Sequence, residues 1–201
     1  MKSACFENEY TDMNFLAHFL LVQHNESWIV GNYIADFIKG NAINDYPAEV
    51  QEGIRVHRAI DTFTDQHPVV LQGVRRLRER HSKYAPVLVD VYYDYVLSLH
   101  WHRYADQSLV DFTRQMYDVL QSHAGILPES FQHRLQLMIA DDWLMRYTYM
   151  EGLEEAFKRI SRRASKPALF DNAVISLQEH LPALEADFNL FFPELISELA
   201  G

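Results

Sequence analysis

Two polar residues four positions apart, His57 and Asp61, are the part of this sequence best suited to chemistry. Residues four apart lie on one face of an α-helix. The apolar positions Val50 and Ile54 continue at helical spacing onto this pair, so both side chains are expected to point toward the core. Burying such groups is costly unless they are paired or bound to a metal ion. The pair is therefore a candidate metal-binding or catalytic site.

Two other segments also place polar groups among apolar neighbours. His18 lies among the apolar residues of segment 16–20. Asp36 follows Asn32 by four positions in a segment rich in Ile, Tyr and Phe. Both segments have helical spacing, so each is expected to bring a potential ligand toward the core.

The most apolar segment, residues 87–97, contains only two charged residues, Asp90 and Asp94, which are again four apart. A helix that is apolar nearly all round is usually buried in the middle of a bundle. Two carboxylates on such a helix repel each other unless a cation or a proton lies between them. Four predicted helices therefore bring polar groups into apolar surroundings, which is the pattern expected of a shared metal site.

Imidazoles and carboxylates together suit Mn²⁺, Fe²⁺ or Zn²⁺, and several carboxylates without thiols favour Mn²⁺, with Mg²⁺ also possible. A metal bound in this way acidifies water and neutralises phosphate oxygens, which is the chemistry of phosphoester hydrolysis. Spacing alone leaves two other interpretations open. The polar groups could be core residues satisfied by hydrogen bonds, or His57 and Asp61 could form a helix-surface contact worth only ~0.3–0.5 kcal/mol.

Composition and missing motifs narrow the class of function. The chain has 201 residues and a net charge of −10, which argues against non-specific nucleic-acid binding. A single cysteine, Cys5, excludes an intrachain disulfide and a cysteine zinc site, and indicates a reducing cytoplasm. Neither a membrane span of ~20 apolar residues nor a secretory signal is expected. A repeated Glu-x-x-His, a Gly-x-Gly-x-x-Gly, a Walker A and a Gly-x-Ser-x-Gly pattern are all absent.

Helical spacing runs through almost the whole sequence, and strict apolar–polar alternation is hard to find. Residues 1–12 are polar and unpatterned and are predicted to be a flexible N-terminal extension, whereas residues 13–201 are predicted to form a single all-α domain, a helical bundle. Pro182 and Pro193 are expected to break or kink the last helix. The predicted helices cover residues 14–24, 28–39, 47–66, 68–82, 86–104, 109–123, 130–149, 153–163 and 169 onward.

Several motifs carry a resemblance to a known family. They are Met13-Asn14-Phe15-Leu16-Ala17-His18, Gly31-Asn32-Tyr33-Ile34-Ala35-Asp36-Phe37-Ile38-Lys39-Gly40-Asn41, His57-Arg58-Ala59-Ile60-Asp61 with Thr64-Asp65, Asp90-Val91-Tyr92-Tyr93-Asp94 with His100-Trp101, Trp143 with Arg146-Tyr147, and Ser161-Arg162-Arg163. With these motifs the sequence resembles the acyl carrier protein phosphodiesterase family, specifically in its first hundred residues and more loosely after that.

The resemblance implies a fold and a reaction. The family is regarded as a divergent branch of the all-helical HD phosphohydrolases, so an HD-phosphohydrolase-like bundle is expected. Its activity is the Mn²⁺-dependent removal of 4′-phosphopantetheine from the serine of holo-acyl carrier protein, which yields the apo form. This sequence lacks the adjacent His-Asp dipeptide of ordinary HD enzymes, since three residues separate His57 from Asp61. The HD ligand pattern therefore cannot be copied onto it.

Spacing and resemblance together give a set of expected site residues. Asp90 is expected to be a ligand or to lie beside the ligands, and Arg58 to offset phosphate charge. Asp65 or His100 is expected to orient a ligand or to protonate the leaving serine oxygen. The expected metal ligands are His18, Asp36, His57, Asp61 and Asp94.

The expected partner, acyl carrier protein, is acidic, so an acidic enzyme needs a local basic surface to meet it. The densest basic run comprises Arg75, Arg76, Arg78, Arg80 and Lys83, and a second comprises Arg162, Arg163 and Lys166. The first run is the predicted docking site, although a solvated helix face explains such a run equally well. Two alternatives stay open: a related phosphohydrolase acting on a nucleotide or another small phosphoester, and a non-enzymatic helical binding module.

Overall fold

The computed structural model describes residues 15–200, and in this range it contains α-helices and short 3₁₀ turns but no β-strand. The predicted all-α fold is confirmed. The proposed extension at residues 1–12 lies outside the described residues. The α-helices are α1 Phe15–Val22, α2 Glu26–Ile34, α3 Ala48–Gln66, α4 Pro68–His81, α5 Ala85–Leu99, α6 Leu109–Ser122, α7 Glu129–Ala140, α8 Trp143–Arg146, α9 Met150–Ser161 and α10 Ala173–Ala200.

Helix α5 lies at the centre of the core, as its all-round apolar sequence predicts. Val89, Tyr92 and Val96 are each fully buried. Helices α1, α4 and α10 all pack against α5. The central helix therefore places Asp90 and Asp94 near several other elements.

Helices α2 and α3 approach each other unusually closely, and two glycines make this possible. A Cβ atom on Gly31 of α2 would lie 2.5 Å from the carbonyl oxygen of Val50, and one on Gly53 of α3 would lie 2.6 Å from the Cα of Trp28. Real Cβ atoms do not come this close to backbone, so only glycine fits at either position. The contact brings the end of α2, with Asp36 just beyond it, against His57 of α3.

Helix α10 continues through both of its prolines. Pro182 and Pro193 lie inside the helix, so of the predicted break or kink, the break is wrong. Both prolines lie on the exposed face of α10, where water can bond the backbone carbonyls that they leave free. Leu184 and Phe188 are fully buried on the opposite face and hold the helix against α4 and α5.

The predicted helix over residues 130–149 is instead divided into α7 and α8. Asp142, at the division, has φ +46°, in the left-handed region that a continuous helix does not visit. None of the helices in residues 15–200 is both long and apolar enough to cross a membrane.

Candidate metal centre

The site begins with His18 on α1, whose imidazole is only 2% exposed. Its Nε2 atom lies 3.3 Å from Oδ1 of Asp61, and its Nδ1 atom lies 3.1 Å from Oδ1 of Asn32. Both ring nitrogens therefore have a polar neighbour, although the ring lies among apolar side chains. The sequence identified His18 as a candidate ligand, and the structure places it in contact with α3.

His57 of α3 is also buried, at 3% exposure, and its ring stacks on that of His18 with 4.2 Å between centroids. Its Nε2 atom lies 3.2 Å from Oδ1 of Asp36 and 3.2 Å from Oδ2 of Asp61. Burial alone would lower the pKa of His57, but hydrogen bonds to these two carboxylates outweigh it and raise the pKa to about 10.

Asp61 joins the two histidines, since each of its carboxylate oxygens faces a different imidazole. Although burial favours the protonated form, the hydrogen bonds to His18 and His57 hold the pKa of Asp61 well below its usual range. Its side chain is 40% exposed, whereas the two imidazoles are buried. Asp61 is therefore the most solvent-exposed of these three side chains.

The donor set of the site fits a divalent cation. His18, His57 and Asp61 each offer one ligand atom, and these atoms all lie within 4.8 Å of one another. Two imidazole nitrogens and a carboxylate oxygen suit Mn²⁺, Fe²⁺ or Zn²⁺. Asp36, whose side chain is 4% exposed, lies beside His57 and could supply a further oxygen.

Asp90 and Asp65 extend this site into an acidic cluster. Burial, reinforced by the negative charges of Asp65 and Asp61, raises the pKa of Asp90 well above its usual value. Asp65 is exposed at the surface, but partial burial of its carboxyl and the charge of Asp61 also raise its pKa. Several carboxylates held together repel one another in the absence of a cation, so the cluster favours binding of a positive ion. Asp90 and Asp65 thus lie within electrostatic range of Asp61, which contacts both histidines.

Asp94, the fifth expected ligand, is engaged elsewhere. Its oxygens accept hydrogen bonds from the backbone N–H groups of Leu16 and Ala17, each at 3.0 Å. Burial raises the pKa of Asp94 to about 7, against the opposing effect of these two hydrogen bonds. The carboxylate therefore caps the first turn of α1, where unpaired N–H groups need an acceptor.

Arg58 and His100 occupy different positions relative to the site. Arg58 is exposed next to His57, and its Nη2 atom donates a 2.8 Å hydrogen bond to the carbonyl of Ile38, two residues after Asp36. The guanidinium is thus held at the edge of the site. His100 instead has its Nε2 atom 3.3 Å from Oε1 of Glu185 on α10. The structure does not bring His100 to the acidic cluster.

The basic run on α4 and in the 3₁₀ turn that follows it is divided between paired and unpaired side chains. Arg76 forms an ion pair with the buried Asp187, and Arg80 forms one with Glu179; both acidic residues lie on α10. The ammonium of Lys83 donates a hydrogen bond to the hydroxyl of Ser165.

Arg75 and Arg78 are exposed and have no ion-pair partner in the part of the chain that the structure describes. They are the members of the run that are available to a partner.

Asn32 is a polar residue of the site to which the sequence pattern assigns no role. It is fully buried between His18 and the backbone of α3. The spacing of four between Asn32 and Asp36 indicates that both residues face the core. Spacing alone cannot distinguish a residue that binds a metal from one that hydrogen-bonds to a metal ligand.

The fold and this geometry define an all-helical protein with a buried histidine–carboxylate centre suited to a metal ion. A family model described as "Acyl carrier protein phosphodiesterase" matches residues 13–195. The chain therefore belongs to the acyl carrier protein phosphodiesterase family, which confirms the resemblance seen in the sequence.

Curated relatives with that same name match over nearly their whole length. One from Salmonella dublin is 34% identical over 194 residues, which is 94% of this chain and 98% of the relative. One from Escherichia coli O6:H1 is 33% identical over 190 residues, which is 92% of this chain and 97% of the relative. One from Photorhabdus laumondii is 31% identical over 187 residues, which is 92% of this chain and 94% of the relative. No solved structure matches the chain, so the likeness to HD phosphohydrolases stays a prediction.

Proposed function

We propose that the protein is a metal-dependent phosphodiesterase that hydrolyses 4′-phosphopantetheine from the serine of holo-acyl carrier protein. Membership of the family supports the reaction and the substrate. The observation that supports metal dependence is the bridging position of Asp61 between the Nε2 atoms of His18 and His57. The family match favours this function over another small phosphoester or a non-enzymatic module. A cytoplasmic location, indicated by the single cysteine, belongs to the same proposal.

The proposed metal ligands are His18, His57 and Asp61, with Asp36 beside them, and Mn²⁺ is the proposed ion. A divalent metal in this site supplies an acidified water and charge neutralisation for the phosphate. Asp90, which is within electrostatic range of Asp61 and Asp36, is proposed to favour the cation through its carboxylate. Asp94 holds the start of α1, so its proposed contribution is to place His18.

Two residues at the rim are proposed to act on the substrate. Arg58, held by the carbonyl of Ile38, is placed to offset charge on the phosphodiester. Asp65 lies one helical turn after Asp61 on α3 and is exposed, so it can reach a leaving group. Its raised pKa favours the protonated form that donates to the serine oxygen. His100 is proposed only as a partner of Glu185, since its imidazole lies against α10.

The exposed arginines of α4 are the proposed docking surface for the carrier protein. Arg75 and Arg78 are unpaired within the described residues, whereas the other members of the run bind groups of this chain. An acidic partner would be attracted to this local positive charge on a protein whose net charge is −10.

Incubation with holo-acyl carrier protein and Mn²⁺, read by intact mass, tests the substrate. Loss of the phosphopantetheine mass with no turnover of a generic phosphodiester such as bis(p-nitrophenyl) phosphate is the expected result. Rapid turnover of the generic ester with none of the carrier protein would indicate a small-molecule phosphohydrolase. No turnover of either substrate, with no Mn²⁺ bound, would indicate a binding module.

A further inference from the structure

The buried side chain of Asn32 contacts the histidine at the centre of the site. It lies on α2, fully buried, and its Oδ1 atom is 3.1 Å from Nδ1 of His18 on α1. The amide also reaches α3, so one side chain connects the three helices that form this part of the site. The proposed reaction gives the side chain of Asn32 no role.

The orientation of the Asn32 amide is determined by its other partners. Its Nδ2 atom donates to the carbonyl of Trp28 at 3.0 Å and to the carbonyl of Gly53 at 3.1 Å. A flipped amide would place Oδ1 against these two carbonyl oxygens, leaving three acceptors facing each other without a proton in a buried place. Oδ1 must therefore face His18, and an amide oxygen can only accept.

The protonation of the His18 ring follows from this orientation. Because Oδ1 of Asn32 only accepts, Nδ1 of His18 must carry the hydrogen that it donates. A histidine that binds a cation must be neutral, and with the hydrogen on Nδ1 the lone pair of that form belongs to Nε2, the atom that lies 3.3 Å from Asp61. The opposite tautomer would present a hydrogen to the cation and leave two lone pairs facing each other at Nδ1.

We propose that Asn32 is a positioning residue that holds His18 in the Nδ1-protonated tautomer, so that Nε2 is the atom that binds the metal. Partners of this kind commonly change metal affinity by about 10–100-fold when they are removed. The inference rests on the metal site of the proposed function, and it adds which atom of His18 binds and what holds that atom in place.

A matched pair of variants isolates the acceptor. Asn32→Leu and Asn32→Asp both lose the two amide donors to Trp28 and Gly53, but only the aspartate keeps an acceptor for Nδ1 of His18. Asn25→Ala is the control for stability, because Asn25 caps the same helix through the N–H of Trp28 and does not touch the site. The dissociation constant for Mn²⁺ is measured on the metal-stripped full chain of each variant.

The expected result is an Mn²⁺ dissociation constant raised about 10–100-fold by Asn32→Leu, largely restored in Asn32→Asp, and unchanged in Asn25→Ala. Equal affinities for the two Asn32 variants would overturn the inference. If neither Asn32 variant folds, ¹⁵N NMR of the wild-type protein loaded with Zn²⁺ tests the proposal instead. The proposal requires a proton on Nδ1 of His18 and the metal on Nε2. A proton on Nε2 and the metal on Nδ1 would contradict it. A wild-type protein that binds no Mn²⁺ overturns the metal site itself together with this inference.

Discussion

Oδ2 of Asp94, on the central helix α5, accepts a hydrogen bond from the backbone N–H of Leu16 at 3.0 Å, across 78 positions of the sequence. The other oxygen accepts from the N–H of Ala17. The carboxylate is 1% exposed, so water does not compete for these bonds. Because His18 follows immediately on α1, the cap on the first turn also fixes where the imidazole lies relative to α3.

The capping role of Asp94 predicts that Asp94→Ala lowers the stability of the metal-stripped protein. Loss of the cap leaves two buried N–H groups without an acceptor, which costs about 2–4 kcal/mol of unfolding free energy. Chemical denaturation of the metal-stripped wild type and variant measures it. Unchanged stability together with abolished Mn²⁺ binding would instead show that Asp94 is a metal ligand.

Repulsion within the acidic cluster predicts the opposite effect for Asp90→Asn. Burial and neighbouring carboxylates raise the pKa of Asp90 in the fold, so at neutral pH, above the unfolded-state pKa, this residue lowers the stability of the metal-free protein. We expect the variant to raise the melting temperature of the metal-stripped protein by about 3 °C, yet to weaken Mn²⁺ binding. Asp106→Asn, at an exposed position, is the control. A lower melting temperature for Asp90→Asn without metal would refute the repulsion.

His57 gives the metal-stripped protein a pH-dependent stability. Its pKa rises from 6.5 in the unfolded chain to about 10 in the fold, so its contribution is complete below pH 6.5 and is lost as the pH rises toward 10. We expect the unfolding free energy to fall between pH 7 and pH 10, at up to about 1.4 kcal/mol per pH unit. The fall should be much smaller in His57→Gln. If the unfolding free energy of the wild type and of His57→Gln depends on pH in the same way, the raised pKa of His57 is contradicted.

Charge reversal at Arg75 and Arg78 tests the docking surface. The double change to Glu is expected to raise KM for holo-acyl carrier protein about tenfold, with kcat unchanged and a weaker dependence of KM on salt. The same change at Arg162 and Arg163 alters the net charge equally and serves as the control. Steady-state kinetics at two salt concentrations measure both. An effect confined to the control pair would move the docking surface to the region that follows α9.

The sequence was sufficient for the all-α fold and for the contact between His57 and Asp61. Helical spacing fixes which residues share a face, and the apolar stripe indicates the side that is buried. Spacing could not reveal that Asp94 caps α1, because Asp90 and Asp94 have the same pattern and differ only in what packs against them.

His100 shows a second limit of sequence reasoning. It follows Asp90, the cluster residue on α5, by ten positions, which corresponds to a rotation of about 280° around a helix axis, and it lies just past the end of α5 at Leu99. Its motif resembled the family, yet its imidazole lies against Glu185 of α10. The two prolines of α10 show a third limit. A proline inside a helix is tolerated when it lies on the exposed face and the opposite face is well packed.

The most direct test of the account compares wild-type protein and Asp61→Asn in the Mn²⁺-dependent conversion of holo- to apo-acyl carrier protein. Asp61 lies between His18 and His57 at 3.3 and 3.2 Å, so Asp61→Asn removes the negative charge and replaces one of the two acceptor oxygens that face the imidazoles with an NH₂ group. Intact mass after metal stripping and Mn²⁺ addition should show apo product with the wild type and none with the variant, whose fold is checked by circular dichroism. Equal Mn²⁺-dependent product from both proteins, or wild-type product that resists a chelator, would contradict the account.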